Sequence, residues 1–476
     1  MPDRPNIVVV LCDQMRRDAM SCAGDPNVAT PNLDGLAADG ARFTNASATY
    51  PICVPSRFTF VTGEYAHTRK AHHIWRMSPT ETTFADVLSD AGYHTAWIGK
   101  WHLSDTPHRP VPPSFQGGFD HWRGFSVRNA PFDTDYYEDD DPTPRPVEGY
   151  QTDGLFDLAM EYLDDRAPAD QPFCLIVSIE PPHPPYFAPR TDMERWESKT
   201  LELRENVPYP DEALLPERYD RWGDPESASA SFYDHPGYLD DVLFDDLRRW
   251  YAMIENLDAN VGRLVTALEQ REMREETALM FTADHGDLHG SHGLTQKQHP
   301  YEESVGVPLI LSYPEGDIDD GRTVSEPTSG EDWYPTILGL GGIDTPEKPG
   351  RDLTPLARGD RDGFDRRGVL LEFVREIRAD QPYHDGGWRG LRTERYKYTV
   401  RCGPDEGAEP WQLFDLRDDP FEMHNLVQDP EYEPVARDLH GALRERLDRT
   451  GDDVALAPAF GHEALHLRND RTYGGP

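Results

Sequence analysis

Apolar residues along this chain fall into two alternating patterns. Residues 6–11 form a continuous apolar, β-branched run of the kind buried on both faces of a parallel sheet, and 93–98, 173–179, 278–282 and 307–311 read as further strands. Between them the period lengthens to that of a helix. Residues 82–91 read as an amphipathic helix closed by Gly92, and 152–165 as a second with Thr152 as its N-cap. The clearest is 239–270, where Leu247, Tyr251, Ile254, Leu257, Val261, Leu264 and Leu268 lie along one stripe. The alternation predicts an α/β fold with a large, mostly parallel central sheet and helices on both faces.

From about residue 366 the pattern changes. Residues 368–373 read as one more strand, 388–400 as a hairpin turning near Glu394 and Arg395, 412–416 as a short strand, and 434–447 as a helix after a turn at 418–420. The chain therefore divides into a large domain, 1–365, and a small C-terminal α+β subdomain with an antiparallel sheet, 366–476. Two irregular stretches interrupt the large domain. The acidic 129–150, with Asp139, Asp140 and Asp141 in a row, reads as a solvated surface excursion. The stretch 188–238, with Trp196, Tyr209, Tyr219, Trp222, Phe232 and Tyr233, is expected to line the mouth of a site. After Gly451 no element is predicted.

Charge narrows the partners. A formal charge of −40 excludes nucleic acid and anionic membranes, which need basic patches, while 37% hydrophobic and 11% aromatic residues in periodic segments exclude disorder. Lysine supplies only six of the 47 basic residues. An acidic, lysine-poor globular chain suits high salt, where self-repulsion is screened, so a halophilic source is expected. Cysteines at 12, 22, 53, 174 and 402 are odd in number and form no C-x-x-C pair, which suggests reduced intracellular thiols. Neither a leader segment nor an apolar run of about 20 residues is evident, so the expected location is the cytoplasm.

Candidate chemistry gathers where the predicted strands end, the edge at which open α/β sheets bind ligands. Asp13 follows the first strand, Lys100 and His102 the second, His183 the third between prolines, and Asp284 with His285 the fourth; Lys297 lies just beyond. The stretch from Cys53 to Gly63 places the strongest potential nucleophile at the start of a short helix, with Pro55 suited to its first turn and Gly63 to its stop. Free amide groups and the positive end of the helix dipole would then face Cys53, with Arg57 one turn along.

The pattern C-x-P-S-R followed by T-G resembles the signature of the type I sulfatases, and with it Gly-Lys-Trp-His, Pro-His-Pro and Asp-His-Gly-Asp extend the resemblance over nearly the whole chain. The resemblance implies the alkaline phosphatase superfamily fold, with 1–365 as the catalytic domain. It implies oxidation of Cys53 to formylglycine by a formylglycine-generating enzyme. One divalent cation, calcium with manganese as the other candidate, would be held by Asp13, Gln14, Asp284, His285 and an oxygen of residue 53. Gln14 and His285 stand where the commonest pattern has Asp and Asn, a variant shared with members acting on choline sulfate and phosphonate monoesters. His183 would protonate the leaving alcohol, His102 act as base, and Lys100, Lys297 and Arg57 neutralise the transferred group. The implied substrate is a small-molecule or saccharide sulfate ester. The alternatives are a phosphonate monoester or phosphodiester hydrolase of the same fold, and a non-catalytic metal- or anion-binding protein with unmodified Cys53.

Overall fold

The computed structural model describes residues 4–165, 167, 171–207, 243–378, 383–384, 386–403 and 407–456. A ten-stranded sheet runs in the order Arg322–Val324, Ala41–Phe43, Leu309–Ser312, Thr277–Ala283, Asn6–Asp13, Phe173–Pro182, His94–Lys100, His121–Phe125, Asp135–Glu138 and Arg145–Pro146. Its five central strands are mutually parallel. The first predicted strand sits in the middle, with Ile7 to Leu11 all 0% exposed, because a run apolar on both pleat faces is stable only when both faces are covered.

The helix Leu243–Gln270 buries every residue of the predicted stripe; positions 239–242 lie outside the described residues. The predicted 82–91 helix forms as Phe84–Asp90, where Thr83 accepts from the Ala85 amide (3.1 Å) and Asp86 returns a bond from the Thr83 amide (2.8 Å). Thr152 is not an N-cap. The helix is Gln151–Asp165, and the Gly154 amide already reaches the Tyr150 carbonyl (3.0 Å), so the start lies upstream.

The acidic 129–150 stretch is not a free excursion. Its residues 135–138 and 145–146 extend the sheet edge, with Tyr137 paired to Gly124 and Glu138 ion-paired to the buried Arg123 (3.2 Å). Charge in the sequence concealed two buried tyrosines, Tyr136 and Tyr137, one on each pleat face. In the 188–238 stretch, Arg190–Trp196 is helical and Trp196 is buried, stacked on Tyr251 of the long helix at 5.3 Å, so that aromatic packs the core. Tyr209, Tyr219, Trp222, Phe232 and Tyr233 lie outside the described residues. The helices Pro31–Ala38 and Trp333–Leu340 carry no clean period and were not predicted.

Towards the C-terminus, Val369–Phe373, Gly387–Arg392, Tyr396–Cys402 and Ala408–Asp415 form an antiparallel sheet covered by the helix Glu433–Thr450. Leu391, Tyr398, Val400 and Leu413 meet Leu439, Leu443 and Leu447 there. This sheet is tied to the large one. Trp388 Nε1 donates to the Gln298 carbonyl (2.8 Å), and the Glu372 amide to the Thr49 carbonyl (2.8 Å). Among the described residues no helix is long and apolar enough to cross a membrane.

Candidate active site

The helix Cys53–Thr62 is buried along its whole length and ends at Gly63, whose φ of 68° is the left-handed stop that glycine favours. It delivers Cys53 to the carboxyl edge of the central strands. Cys53 Sγ lies 3.2 Å from His285 Nε2, 3.4 Å from Lys297 Nζ and 3.6 Å from Asp13 Oδ1. Asp13 and Asp284 end adjacent parallel strands; they are 0% and 1% exposed, and His285 Nε2 stands 3.5 Å from an oxygen of each. One ligand atom each from Asp13, Cys53, Asp284 and His285 falls within 4.8 Å of all the others.

Two basic side chains hold this cluster together. Arg57, 0% exposed, donates from Nε to Asp284 Oδ2 (2.8 Å), from Nη2 to Asp13 Oδ2 (3.3 Å), and from Nη1 to Ser178 Oγ (2.8 Å) and the Lys100 carbonyl (3.1 Å). The guanidinium is thus committed to the two carboxylates. Lys100 Nζ lies 2.6 Å from Asp13 Oδ2 and 3.7 Å from Glu180. Its position depends on Gly99, at φ 99°, where a Cβ would stand 1.9 Å from the Ser178 carbonyl oxygen of the neighbouring strand.

Burial pushes the Asp13 carboxyl up, but Lys100 foremost, then His183, Arg57 and His285, outweigh it and hold it well below the usual range. His285 is pushed down by burial, so its imidazole is neutral; Nδ1 donates to the Gly286 carbonyl (3.0 Å), which turns the Nε2 lone pair into the cluster. Burial and the Asp13 charge raise the Cys53 thiol to about 11 against the pull of Lys297 and Lys100. A nucleophilic thiol needs the opposite shift. Two buried carboxylates, a fixed imidazole and a polar atom at residue 53 make a hard donor set that fits a divalent cation.

Lys297 donates to Gln14 Oε1 (2.6 Å), and Gln14 Nε2 donates to Asp287. Gln14 adopts φ 65°, and its side-chain oxygen faces the lysine in this arrangement. His183 donates from Nδ1 to the Pro184 carbonyl (2.6 Å) and is held well below its ordinary pKa by burial and then by Lys297. His102 follows Lys100 at φ 60°, with its amide bonded to the Ser126 carbonyl (2.8 Å); burial, then Lys100 and Arg57, press its pKa well down. Neither histidine bonds Cys53 directly among the described residues.

Three supporting residues escaped the sequence reading. Asp287 also accepts from Tyr186 Oη (3.0 Å), and its place in Asp-His-Gly-Asp was a signal without a role. Glu180 accepts from the Arg128 and Asn129 amides (2.8 and 2.9 Å) and from Gln151 Nε2 (2.8 Å). Ser178, inside an apolar strand, left no signal at all.

A mostly parallel sheet that gathers buried carboxylates, an imidazole and a helix-borne cysteine at its carboxyl edge has the layout of the ester hydrolases of the alkaline phosphatase superfamily. The sulfatase family profile matches residues 5–343, and a profile for the C-terminal part of N-sulphoglucosamine sulphohydrolase matches residues 290–449. The chain is 31% identical over 464 residues to an ulvan-active sulfatase of Formosa agariphila, covering 95% of this chain and 83% of that one. A structure solved in complex with its substrate D-glucosamine-2-N,6-O-disulfate superposes with a TM-score of 0.80 at 26% identity, covering 95% of this chain and 99% of the other. A phosphonate monoester hydrolase of Agrobacterium radiobacter shares the fold, with a TM-score of 0.73 at 22% identity and coverage of 94% and 96%. The chain belongs to the sulfatase family and is a sulfuric ester hydrolase.

Proposed function

We propose that the chain hydrolyses a sulfate ester on a saccharide, with residue 53 oxidised to formylglycine as the nucleophile and one divalent cation held by Asp13, Asp284, His285 and residue 53. The observation that carries this reading is the convergence of Asp13, Asp284 and His285 around the Cys53 thiol, which is raised to about 11. A protonated, buried thiol is a poor nucleophile, so position 53 calls for another functional group. The saccharide class is supported by the ulvan-active relative and by the neighbour bound to a glucosamine disulfate.

With Cys53 oxidised by a formylglycine-generating enzyme using dioxygen and the aldehyde then hydrated by water, residue 53 would supply two hydroxyls on one carbon, one to displace the ester at sulfur and one to release sulfate, and a cation held by Asp13, Asp284 and His285 would supply the field that acidifies the first. The chain's own residues do the rest. Lys297, 3.4 Å from the residue 53 side chain, and Lys100, behind Asp13, offset the charge on the transferred oxygens. Arg57 is a positioning residue that keeps Asp13 and Asp284 side by side. With its Nδ1–H held by the Pro184 carbonyl, His183 presents the Nε2 lone pair, which takes the proton given up by the attacking hydroxyl and passes it to the leaving alkoxide as the S–O bond breaks. His102 accepts the proton of the second hydroxyl.

Gln14 and His285 favour a second reading, in which phosphorus replaces sulfur as the atom attacked. Mass spectrometry of the peptide spanning residue 53, with turnover of 4-nitrophenyl sulfate against a 4-nitrophenyl phosphonate ester, tests both. An aldehyde mass, sulfate preference and loss of turnover in Cys53→Ala are expected. Phosphonate preference by orders of magnitude would establish the second reading, and an intact thiol with ligand binding but no turnover would establish a non-catalytic binding protein.

A further inference from the structure

Beyond the sulfate position, the segment that leaves strand Val369–Phe373 forms a wall against this site. Tyr50 Oη donates to the Arg375 carbonyl (3.3 Å), and Gln298, next to Lys297, donates its side-chain amide to Glu376 Oε2 (3.3 Å). Glu376 is 1% exposed. Its Oε1 accepts the amides of Ile377 (2.8 Å) and Arg378 (3.1 Å), and its Oε2 also accepts Arg378 Nη2 (2.7 Å). A carboxylate so fully occupied is a socket for the guanidinium of Arg378.

Arg378 keeps unused capacity. Its Nε is buried without a hydrogen-bond partner while the side chain as a whole is 36% exposed. Glu376 pairs with its Nη2, and among the described residues no other side chain accepts from the guanidinium. Arg375 is exposed and makes no ion pair among the described residues. His72 and His73 each have a buried Nδ1 without a partner, and the His73 ring meets His102 edge-on at 6.4 Å. Burial, then the charge of Arg378, presses His73 down to about 3, and Lys297 and Lys100 push the same way. Positive charge thus acts on His73 from Lys297 and Lys100 on the sulfate side and from Arg378 in the C-terminal segment, with Glu376 opposing it.

We propose that Arg378, with His73 beside it, forms a subsite for a second anionic group carried by the leaving saccharide, a carboxylate or a further sulfate. The proposal rests on the sulfatase reading above and narrows its substrate to polyanionic saccharide sulfates. Held at one edge by Glu376, the guanidinium loses little freedom on binding, and an oxyanion takes the donors on its exposed end. Binding energy gained on this remote group is available to raise turnover as well as affinity.

The test compares kcat/KM for a sulfated disaccharide bearing a uronate carboxylate, for its methyl ester, and for the methyl ester with a second sulfate. Each is set against 4-nitrophenyl sulfate in the same preparation. The native enzyme is expected to prefer the acid or the disulfate by about tenfold over the methyl ester, a difference one charge-assisted contact supplies. Whether the acid or the disulfate gains identifies the anion. Arg378→Gln should bring the ratio to within about twofold and Arg378→Lys should keep part of it; because the ratio is read within each variant, reduced folding does not obscure it. Equal use of charged and neutral forms by the native enzyme, or a preference that survives Arg378→Gln, overturns the subsite alone. Failure of the native enzyme to cleave any sulfate, 4-nitrophenyl sulfate included, overturns the sulfatase reading with it.

Discussion

Replacing Arg57 by methionine keeps most of the apolar stem and removes a fully buried charge with its bonds to Asp13, Asp284, Ser178 and the Lys100 carbonyl. Both carboxylates then share a dry site with one fewer cation. Breaking a buried ion pair by removing one partner costs about 3–5 kcal/mol. With an unfolding entropy of about 2.1 cal/mol/K per residue, a chain of this length changes by about 1 kcal/mol per kelvin, so Tm should fall by about 3–5 °C in chelator. A divalent cation at about 100 times its Kd contributes about 2.7 kcal/mol, and it should restore more stability to Arg57→Met than to the native protein, whose carboxylates Arg57 already neutralises in part. Differential scanning calorimetry with chelator, calcium and manganese reads both effects. A Tm unchanged in chelator, or identical cation shifts in the two proteins, would falsify the bracing role.

Three further outcomes follow from particular contacts. Although burial opposes it, Glu372 at 2.6 Å and Asp452 at 3.6 Å raise His67 to about 9. Its folded pKa lies above the unfolded value near 6.5, so this stabilisation is complete below about pH 6.5 and is lost as pH rises through 9. The Tm gap between native protein and His67→Asn should shrink over that window, and a constant gap would sink the assignment. Gly99→Ala must displace the Ser178 carbonyl from beside Lys100; at least about 1 kcal/mol of destabilisation and a loss of turnover are expected in melting and nitrophenyl sulfate assays, and native values in both would refute it. If the charge of −40 reflects a high-salt habitat, Tm should climb between 0.1 M and molar salt as the Debye length falls from about 10 to about 3 Å, whereas equal stability would remove the halophilic expectation.

Much of this architecture is legible in one dimension. The buried strand around Val9 needs no partner to be recognised, since only a two-sided interior tolerates so long an apolar run, and the stripe from Leu247 to Leu268 declares its own covered face. Cys53, Arg57, Asp13, Asp284, His285, Lys100 and Lys297 were all nominated from motifs and strand ends, because parallel strands deliver their last residues to one edge. What each side chain does on arrival is a different matter. Arg57 could have faced a ligand as readily as the two carboxylates, and only the packing of its helix against three strand ends turns it inward. Tyr137 hides its burial among Asp and Glu, and the Gln151 start passes for a Thr152 cap until Tyr150 is seen to supply the carbonyl. The socket of Glu376 and Gln298, and Arg378 held within it, join residues far apart in the chain. Local pattern carries burial and period; hydrogen-bond partners across distant segments exist only once the chain has closed on itself, and it is those partners that decide which charges are spent and which are left to meet a substrate.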